Sequence, residues 1–236
     1  MLGIEAATAV LGVAVTKEDI LLAERFLNNR HSHSTNLLAM IKGVLADARV
    51  TPARLSGIAV SVGPGSFTGL RIGLATAKTL AQVLALPLVA VGTLEALAYP
   101  LAEQQSLVCP VLNARKNEVY AAVYTSFEGA LKCVREPAGG PPEELAAALK
   151  ALNRALVFTG DGALTYRELF RNYLGAQAVF APKELSLPRA APVAGLGRQK
   201  LLAEEFSDPL LLTPLYLRKA EAEIKWLQRQ RTTVES

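Results

Sequence analysis

The segment between residues 61 and 73 constrains the fold more than any other part of the chain. It reads SVGPGSFTGLRIG: an apolar strand enters a glycine-proline loop, and the helix that follows keeps glycine at interior positions. Gly69, Gly73 and Ala77 are four residues apart, so they lie on one face of this helix. Because each interior glycine costs about 1 kcal/mol relative to alanine, the pattern indicates that another backbone comes very close. The residues alone leave open whether that backbone belongs to this chain or to a partner.

Length and composition favour a globular α/β protein with a sizeable core. The 236 residues are 51% apolar and 19% charged, which argues against extended disorder. The net charge of +4 is too small to indicate RNA binding by itself. The sequence shows no leader peptide and no membrane-spanning run, so we expect a cytoplasmic protein without membrane contact. Cys109 and Cys133 have no metal-ligand spacing and fit a reducing compartment.

Strand and helix patterns alternate along the chain in two successive units. The first unit has predicted elements at residues 2–6, 10–15, 20–26, 34–48, 55–62, 67–84 and 87–91. The second opens again with strands, at 107–112 and 119–124. Composition predicts a loop at 136–142 and a turn at 160–162. Two units of this kind indicate an α/β protein of two similar lobes, at 1–104 and 105–212, followed by a C-terminal helical segment at 213–236.

Candidate nucleotide sites in the sequence are incomplete. A glycine loop before a helix N-terminus is a scaffold for an anion, but the Lys-Ser or Lys-Thr that the P-loop requires is missing. The run from Gly63 to Thr68 lacks the third glycine of the dinucleotide fingerprint. Glu5 ends a strand where a Mg²⁺ ligand could stand, but two alanines separate it from Thr8. We therefore expect no catalytic Mg²⁺ at Glu5.

The two histidines, His31 and His33, make a poor metal site. They have no carboxylate or cysteine nearby in the sequence, so a polar approach to the following helix is the better interpretation. A serine-histidine triad would need the same two residues, and no GxSxG elbow is present. The residues alone assign no catalytic residue, no metal and no cofactor.

The same residues resemble the TsaB (YeaZ) family, which supports threonylcarbamoyl transfer to tRNA. The resemblance covers nearly the whole chain and is most specific in residues 61–73, 77–80 and 214–223. Glu5 and Asn113 depart from the family pattern, since each stands where aspartate is usual. The resemblance implies an actin-like, sugar-kinase-like (ASKHA) fold of two lobes, each with a βββαβα core. It also implies that the C-terminal helix returns to the N-terminal lobe.

The resemblance further implies a subunit without metal, cofactor or catalytic residue. The catalytic TsaD-type paralogue of that family binds metal through a His-Leu-Glu-x-His type motif. The corresponding stretch here keeps the central Leu-Glu pair but has Thr93 and Leu97 in the two histidine positions. Threonine is a poor metal ligand and leucine is none. The vestigial nucleotide or metal positions are then Glu5, Thr8, Thr93 and Leu97.

As a partner subunit, the chain would bind the TsaD-type protein through the helices at 34–49 and 67–84, packed with their counterparts as a four-helix bundle. A TsaE-type ATPase and tRNA would join through the complex, and the lone chain would self-associate. Close packing against the partner would explain the helix glycines, and Gly73→Leu would weaken the heterodimer while leaving the monomer folded. The expected interface residues are Leu38, Ile41, Gly69, Arg71, Gly73 and Ala77.

Two other functions stay open from the sequence. One is an enzyme that acts alone, a metalloprotease or an actin-like ATPase, against which the missing histidines and the Glu5-Ala-Ala sequence argue. The other is a homodimeric scaffold unconnected with RNA.

Overall fold

The computed structural model describes residues 1–29, 33–103, 106–127 and 130–218. Within these ranges the chain forms two lobes, each built on a five-stranded mixed sheet. The helix predicted at 218–230 falls almost entirely on residues 219–236, outside the described residues. No helix in the described ranges is long and apolar enough to span a membrane.

The N-terminal lobe follows the predicted alternation closely. Its elements are β1 (Leu2–Glu5), β2 (Val10–Lys17), β3 (Ile20–Asn28), α1 (His33–Asp47), β4 (Ile58–Gly63), α2 (Phe67–Leu84), β5 (Leu88–Gly92) and α3 (Thr93–Ala98). The strand order is β3-β2-β1-β4-β5, with β1, β4 and β5 parallel. Apolar residues of β1, β2 and β4 pack against α1 and α2 in one core, in which Ile4, Val60 and Leu37 are almost fully buried.

The C-terminal lobe repeats this plan. Its elements are β6 (Leu107–Arg115), β7 (Glu118–Phe127), β8 (Ala130–Gly140), α4 (Pro142–Lys150), β9 (Leu156–Thr159), α5 (Asp161–Thr165), α6 (Arg167–Leu174) and β10 (Ala178–Phe180), and α7 (Ala190–Leu202) follows them in the chain. The strand order β10-β9-β6-β7-β8 is the order of the first sheet once each lobe's strands are numbered separately. Phe158 stacks on Phe170 at 4.7 Å and on Phe180 at 5.4 Å in its core.

Two predictions about irregular segments are wrong. The predicted loop at 136–142 is mostly strand, because β8 runs through Gly140 and pairs with β7. β8 lies at the edge of its sheet and shifts register along β7, so it tolerates Pro137 and two glycines that a central strand would not. The predicted turn at 160–162 is mostly helix: Gly160 precedes it with φ of 103°, and α5 starts at the next residue.

The last described helix, α7, follows the C-terminal lobe in sequence but packs on the N-terminal sheet. A Cβ at Gly3 of β1 would lie 2.8 Å from the amide nitrogen of Ala194, so glycine allows this close approach. Glu24 of β3 accepts hydrogen bonds from the first amides of α7, at 3.0 Å from Ala190 N, and pairs with Arg189. The range predicted for the second lobe, 105–212, therefore includes a helix that packs on the first lobe.

Candidate functional site

The glycines of α2 seat its N-terminal half on the turn that follows β1. A Cβ at Gly69 would overlap the carbonyl oxygen of Ala6, and one at Gly73 would lie 3.0 Å from the Cβ of Ala6. Ser66 caps the helix by accepting from the Gly69 amide at 3.3 Å, and its own amide donates to the Ala7 carbonyl at 2.6 Å. The predicted close approach of a second backbone is confirmed, and that backbone belongs to the same chain.

The six residues expected at a partner interface do not share one surface. Leu38 is 63% exposed and Arg71 is exposed, whereas four face the core of their own lobe: Ile41, Gly69, Gly73 and Ala77. The interface itself stays a prediction, but a partner could touch only the first two directly. A leucine at position 73 would also collide with Ala6 in the turn after β1, so the expectation that Gly73→Leu leaves the monomer folded does not fit this packing.

The outward sides of α1 and α2 form a continuous exposed surface, which we call the α1–α2 face. Its residues on α1 are Ser34, Thr35, Leu38, Ala39, Lys42 and Ala46, and those on α2 are Thr68, Arg71, Ala75, Thr79, Gln82 and Val83. Most of these side chains are small, which lets another helix approach closely. Leu38 and Val83, the latter 76% exposed, add apolar area. Of this surface, the sequence analysis predicts only Leu38 and Arg71, although the exposed side of α2 lies opposite Gly69, Gly73 and Ala77.

Glu5 is fully buried at the end of β1. Its Oε1 accepts from the amide of Ala7 at 2.6 Å, while Oε2 has no hydrogen-bond partner among the described residues. Burial raises the pKa of Glu5 from 4.5 to about 7, and the hydrogen bonds from Ala7 and Ser61 oppose this only in part. The carboxyl group therefore holds the turn after β1 and does not line the cleft between the lobes.

A cleft of about 860 Å³ separates the two lobes. One wall is the turn around Thr8 with the start of α2, and the other is the β6–β7 hairpin with Asp161. Thr8 uses its hydroxyl oxygen to accept from the amide of Val10 at 3.1 Å. Asn113, where the resemblance leads us to expect aspartate, accepts with its side-chain Oδ1 from the backbone amide of Arg115 at 2.8 Å. The backbone amide of Asn113 donates to Asp161 at 3.0 Å. These polar groups therefore shape their own turns at the cleft wall.

Thr93 and Leu97, the residues that the resemblance places at two histidine positions of the TsaD-type paralogue, are buried in α3. Leu97 packs with Leu112 between the lobes, and a Cβ at Gly160 would lie 2.9 Å from its Cδ2. The hydroxyl of Thr93 has no hydrogen-bond partner in the part of the chain that the structure describes. The same part contains no group of three or more His, Cys, Asp or Glu side chains placed to hold a metal ion. In the structure, the leucines of this stretch serve packing between the lobes.

Known proteins resemble the chain over nearly its whole length. The model of the family described as TsaD, tRNA N6-adenosine threonylcarbamoyltransferase, matches residues 21–226. The Bacillus subtilis tRNA threonylcarbamoyladenosine biosynthesis protein TsaB is 33% identical over 231 residues, which cover 98% of this chain and 99% of that protein.

Solved structures agree with these matches. YeaZ from Pseudomonas aeruginosa superposes with a TM-score of 0.79 at 28% identity, covering 92% of this chain and 98% of that one. A likeness in fold alone extends to component A of (R)-2-hydroxyglutaryl-CoA dehydratase from Acidaminococcus fermentans, with a TM-score of 0.50 at 12% identity over 86% of this chain and 98% of that one. The predicted two-lobed ASKHA fold is confirmed. With its sequence matched from end to end and its fold shared, the chain belongs to the TsaB (YeaZ) family, within the wider family that the TsaD model describes.

Proposed function

We propose that this chain is a non-catalytic partner subunit required for the threonylcarbamoyladenosine (t6A) modification of tRNA next to the anticodon. In this proposal it binds and activates a catalytic TsaD-type subunit. Family membership supports the pathway, because the Bacillus subtilis relative is named for the biosynthesis of this nucleoside. The observation that carries the proposal is the α1–α2 face, on which Leu38 and Val83 are 63% and 76% exposed.

The shape of the α1–α2 face suits a pair of helices. Ala75 and Thr79 are exposed one turn apart on α2, and Ala39 and Ala46 are exposed on α1. Small side chains at such positions allow helix axes to approach to about 8–10 Å. The TsaD family model aligns with residues 21–226, which include both helices, so a TsaD-type protein would present a comparable pair. Two similar pairs can then meet around an approximate two-fold axis.

The catalytic step belongs to the partner in this proposal. Threonine and leucine replace the two metal-binding histidines, and both are buried. Glu5 is fully buried and is not among the residues that line the cleft, which supports a structural role for its carboxyl group. A TsaE-type ATPase and tRNA would join through the assembled complex. A lone chain would use the same α1–α2 face to form a homodimer.

Reconstitution of tRNA threonylcarbamoylation with and without this chain tests the proposal. We expect modification to require both the chain and the TsaD-type subunit, and the chain alone to modify nothing. Equal modification in its absence would contradict the proposal. Hydrolysis of ATP by the isolated chain, lost in Glu5→Gln, would favour the enzyme alternative.

A pair of matched leucine variants tests the surface. Leu38 on α1 and Leu202 on α7 are 63% and 68% exposed, but only Leu38 lies on the α1–α2 face. Leu38→Asp should abolish binding to the TsaD-type subunit in a pull-down and reduce tRNA modification to the level without the chain. Leu202→Asp should bind and support modification as the unaltered chain does. Equal behaviour of the two variants would exclude the α1–α2 face as the binding surface.

A further inference from the structure

Residues 212–218, which we call the strap, run from the N-terminal lobe across α2 to the C-terminal lobe. Lys78 of α2 donates from its Nζ to the carbonyl oxygen of Leu212 at 2.8 Å. The amide of Leu215 donates to the carbonyl oxygen of Val62 at 2.7 Å. These two bonds fix the first half of the strap to the end of β4 and to the side of α2.

The strap lies directly against Gly63, a residue at which only glycine leaves enough room. Gly63 ends β4 with φ of 119°, a conformation that side chains disfavour. A Cβ at Gly63 would lie 2.6 Å from the carbonyl oxygen of Leu215. Both the backbone angle and the space at this residue therefore require glycine, and the space is needed because the strap lies directly on it.

The middle of the strap contacts the α1–α2 face. The ring of Tyr216 stacks on Phe67 with centroids 4.6 Å apart. Its hydroxyl accepts from the Nε of Arg71 at 3.0 Å, and the guanidinium of Arg71 lies 3.9 Å from the centroid of the Phe67 ring. Tyr216 is 38% exposed and Arg71 is exposed, so a molecule docked on the α1–α2 face would meet this cluster.

The end of the strap reaches the other lobe. The Nη1 of Arg218 lies 3.4 Å from the Oε2 of Glu118 and donates to the carbonyl oxygen of Ala114 at 3.5 Å. Both acceptors belong to the β6–β7 hairpin, which forms one wall of the cleft. The lobes also meet through α3, whose Leu97 packs with Leu112. The strap is thus a second tie between the lobes, on the rim of the cleft.

We infer that the strap is a brace that sets the opening of the cleft and couples it to the α1–α2 face. One residue separates Tyr216 from Arg218, and two residues of extended chain span only about 7 Å. A movement of Tyr216 off Phe67 therefore shifts Arg218 relative to the β6–β7 hairpin. The brace stands apart from the proposed function. Its use by a TsaD-type partner, which would touch Arg71 and release or tighten the hairpin, rests on that function.

Distances between two spin labels test the brace in the full chain. Lys17 of β2 and Lys150 of α4 are exposed positions in different lobes, and Cys133→Ser removes the exposed native thiol. With labels at Lys17→Cys and Lys150→Cys, we expect one narrow distance distribution. Arg218→Ala should move it to longer distances and broaden it. Tyr216→Ala should do the same, although the ring stack and the hydrogen bond of Tyr216 are both made with α2.

Two further variants separate coupling from loss of folding. Tyr216→Phe keeps the stack on Phe67 and loses only the hydrogen bond from Arg71, so its distribution should lie between those of the unaltered chain and Tyr216→Ala. Tyr173→Ala on α6 removes a tyrosine that is 42% exposed, close to the 38% of Tyr216, and should change nothing. Unchanged distributions in both Arg218→Ala and Tyr216→Ala would overturn the brace. A change in Arg218→Ala alone would overturn its coupling to the α1–α2 face.

Addition of a TsaD-type subunit to the labelled chain tests the use of the brace, with binding followed separately by pull-down. We expect the distribution to shift when the subunit binds and to respond less in Tyr216→Ala. Absence of binding would count against the proposed function and leave the variant comparison intact. Binding without any shift would contradict the coupling to a partner.

Discussion

The two lobes of this protein use the same strand order and the same way of seating a helix. In the N-terminal lobe, the helix after β4 lies on the turn after β1, where Gly69 leaves room for the carbonyl of Ala6. In the C-terminal lobe, the helix after β9 lies on β6, where a Cβ at Gly160, the residue before the helix, would overlap the carbonyl of Val111. A glycine at this junction therefore serves the fold in both lobes.

The lobes differ in the length and the continuity of the helix that is packed in this way. α2 continues unbroken from Phe67 to Leu84 and leaves its outward side exposed, whereas the second lobe divides the same stretch into α5 and α6. α4 packs against α6 as α1 packs against α2, and α6 also keeps an exposed side, formed by Glu168, Arg171, Asn172 and Tyr173. The comparison teaches that the unbroken helix gives the longer exposed side, because the packing of the helix start is common to both lobes.

The largest effect on stability is expected at Gly69, where α2 packs on the turn after β1. Gly69→Val would place a branched side chain against the backbone of β1's turn, which cannot move without disturbing Ala7 and Ser66. We expect a loss of about 3 kcal/mol or more in the free energy of unfolding, measured by urea denaturation. Ala75→Val, on the exposed side of the same helix, should cost less than about 1 kcal/mol. Similar losses of unfolding free energy in both variants would show that the close contact at Gly69 is not what limits the size of the side chain.

The second effect concerns a buried polar residue that ends a strand in each lobe, Glu5 in β1 and Thr159 in β9. The unfolded carboxyl of Glu5 loses its proton near pH 4.5, whereas the folded one keeps it until about pH 7. The free energy of unfolding should therefore fall as pH rises between these values, by about 1.4 kcal/mol per pH unit and about 3 kcal/mol in all. Glu5→Gln should abolish this contribution, so the difference between variant and unaltered chain grows from pH 5 to pH 7 and then levels off.

Thr159 provides the control in the other lobe. It is as buried as Glu5, but its neutral hydroxyl donates to the carbonyl oxygen of Leu185 at 2.7 Å. Thr159→Val should cost about 1 kcal/mol at every pH, since no charge is involved. Parallel pH profiles for the unaltered chain and Glu5→Gln would contradict the raised pKa of Glu5.

A third effect concerns α7, the helix that follows the C-terminal lobe in sequence and packs on the N-terminal sheet. Glu24, whose side chain is 7% exposed, pairs with Arg189 and accepts from two amides at the start of α7. Glu24→Ala should cost about 2 kcal/mol in the free energy of unfolding, because buried donors and a charge lose their partner. Asp19, 90% exposed, pairs with Arg198 on the same helix, and Asp19→Ala should cost less than about 0.5 kcal/mol. Equal costs would mean that burial does not distinguish these two ion pairs.

Much of the N-terminal lobe could be predicted from the sequence because its signals are local. The glycine-proline loop and the small residues spaced four apart predict a helix at 67–84, and α2 has these bounds. The edge strand β8 is predicted in part as a loop, because proline and glycine occur both in loops and in edge strands. Only the sheet order distinguishes the two, and the sequence does not show that order. The docking of α7 on the first sheet depends on contacts between residues far apart in sequence, and no local pattern carries it.

In the candidate site, too, local sequence signals predict some features, and contacts between distant residues determine the others. The spacing of Gly69 and Gly73 predicts a close backbone contact correctly, but only the folded chain identifies Ala6 as the neighbour. Once that side of α2 is assigned to the core, helical geometry fixes Arg71 and Ala75 on the exposed side. Tyr216 meets Arg71 from 145 residues away, and this contact has no signature in the sequence.

The smallest effect on stability is expected on the α1–α2 face, where two adjacent leucines of α1 give a matched pair. Leu37 is 1% exposed and Leu38 is 63% exposed. Leu37→Ala should lower the free energy of unfolding by about 2–5 kcal/mol, whereas Leu38→Ala should change it by less than about 0.5 kcal/mol. Leu38→Ala should instead weaken the proposed self-association of the lone chain, measured by sedimentation velocity. A large loss of stability in Leu38→Ala would mean that this leucine is covered within the folded chain, and the N-terminal lobe would lose the long exposed surface that distinguishes it from the C-terminal lobe.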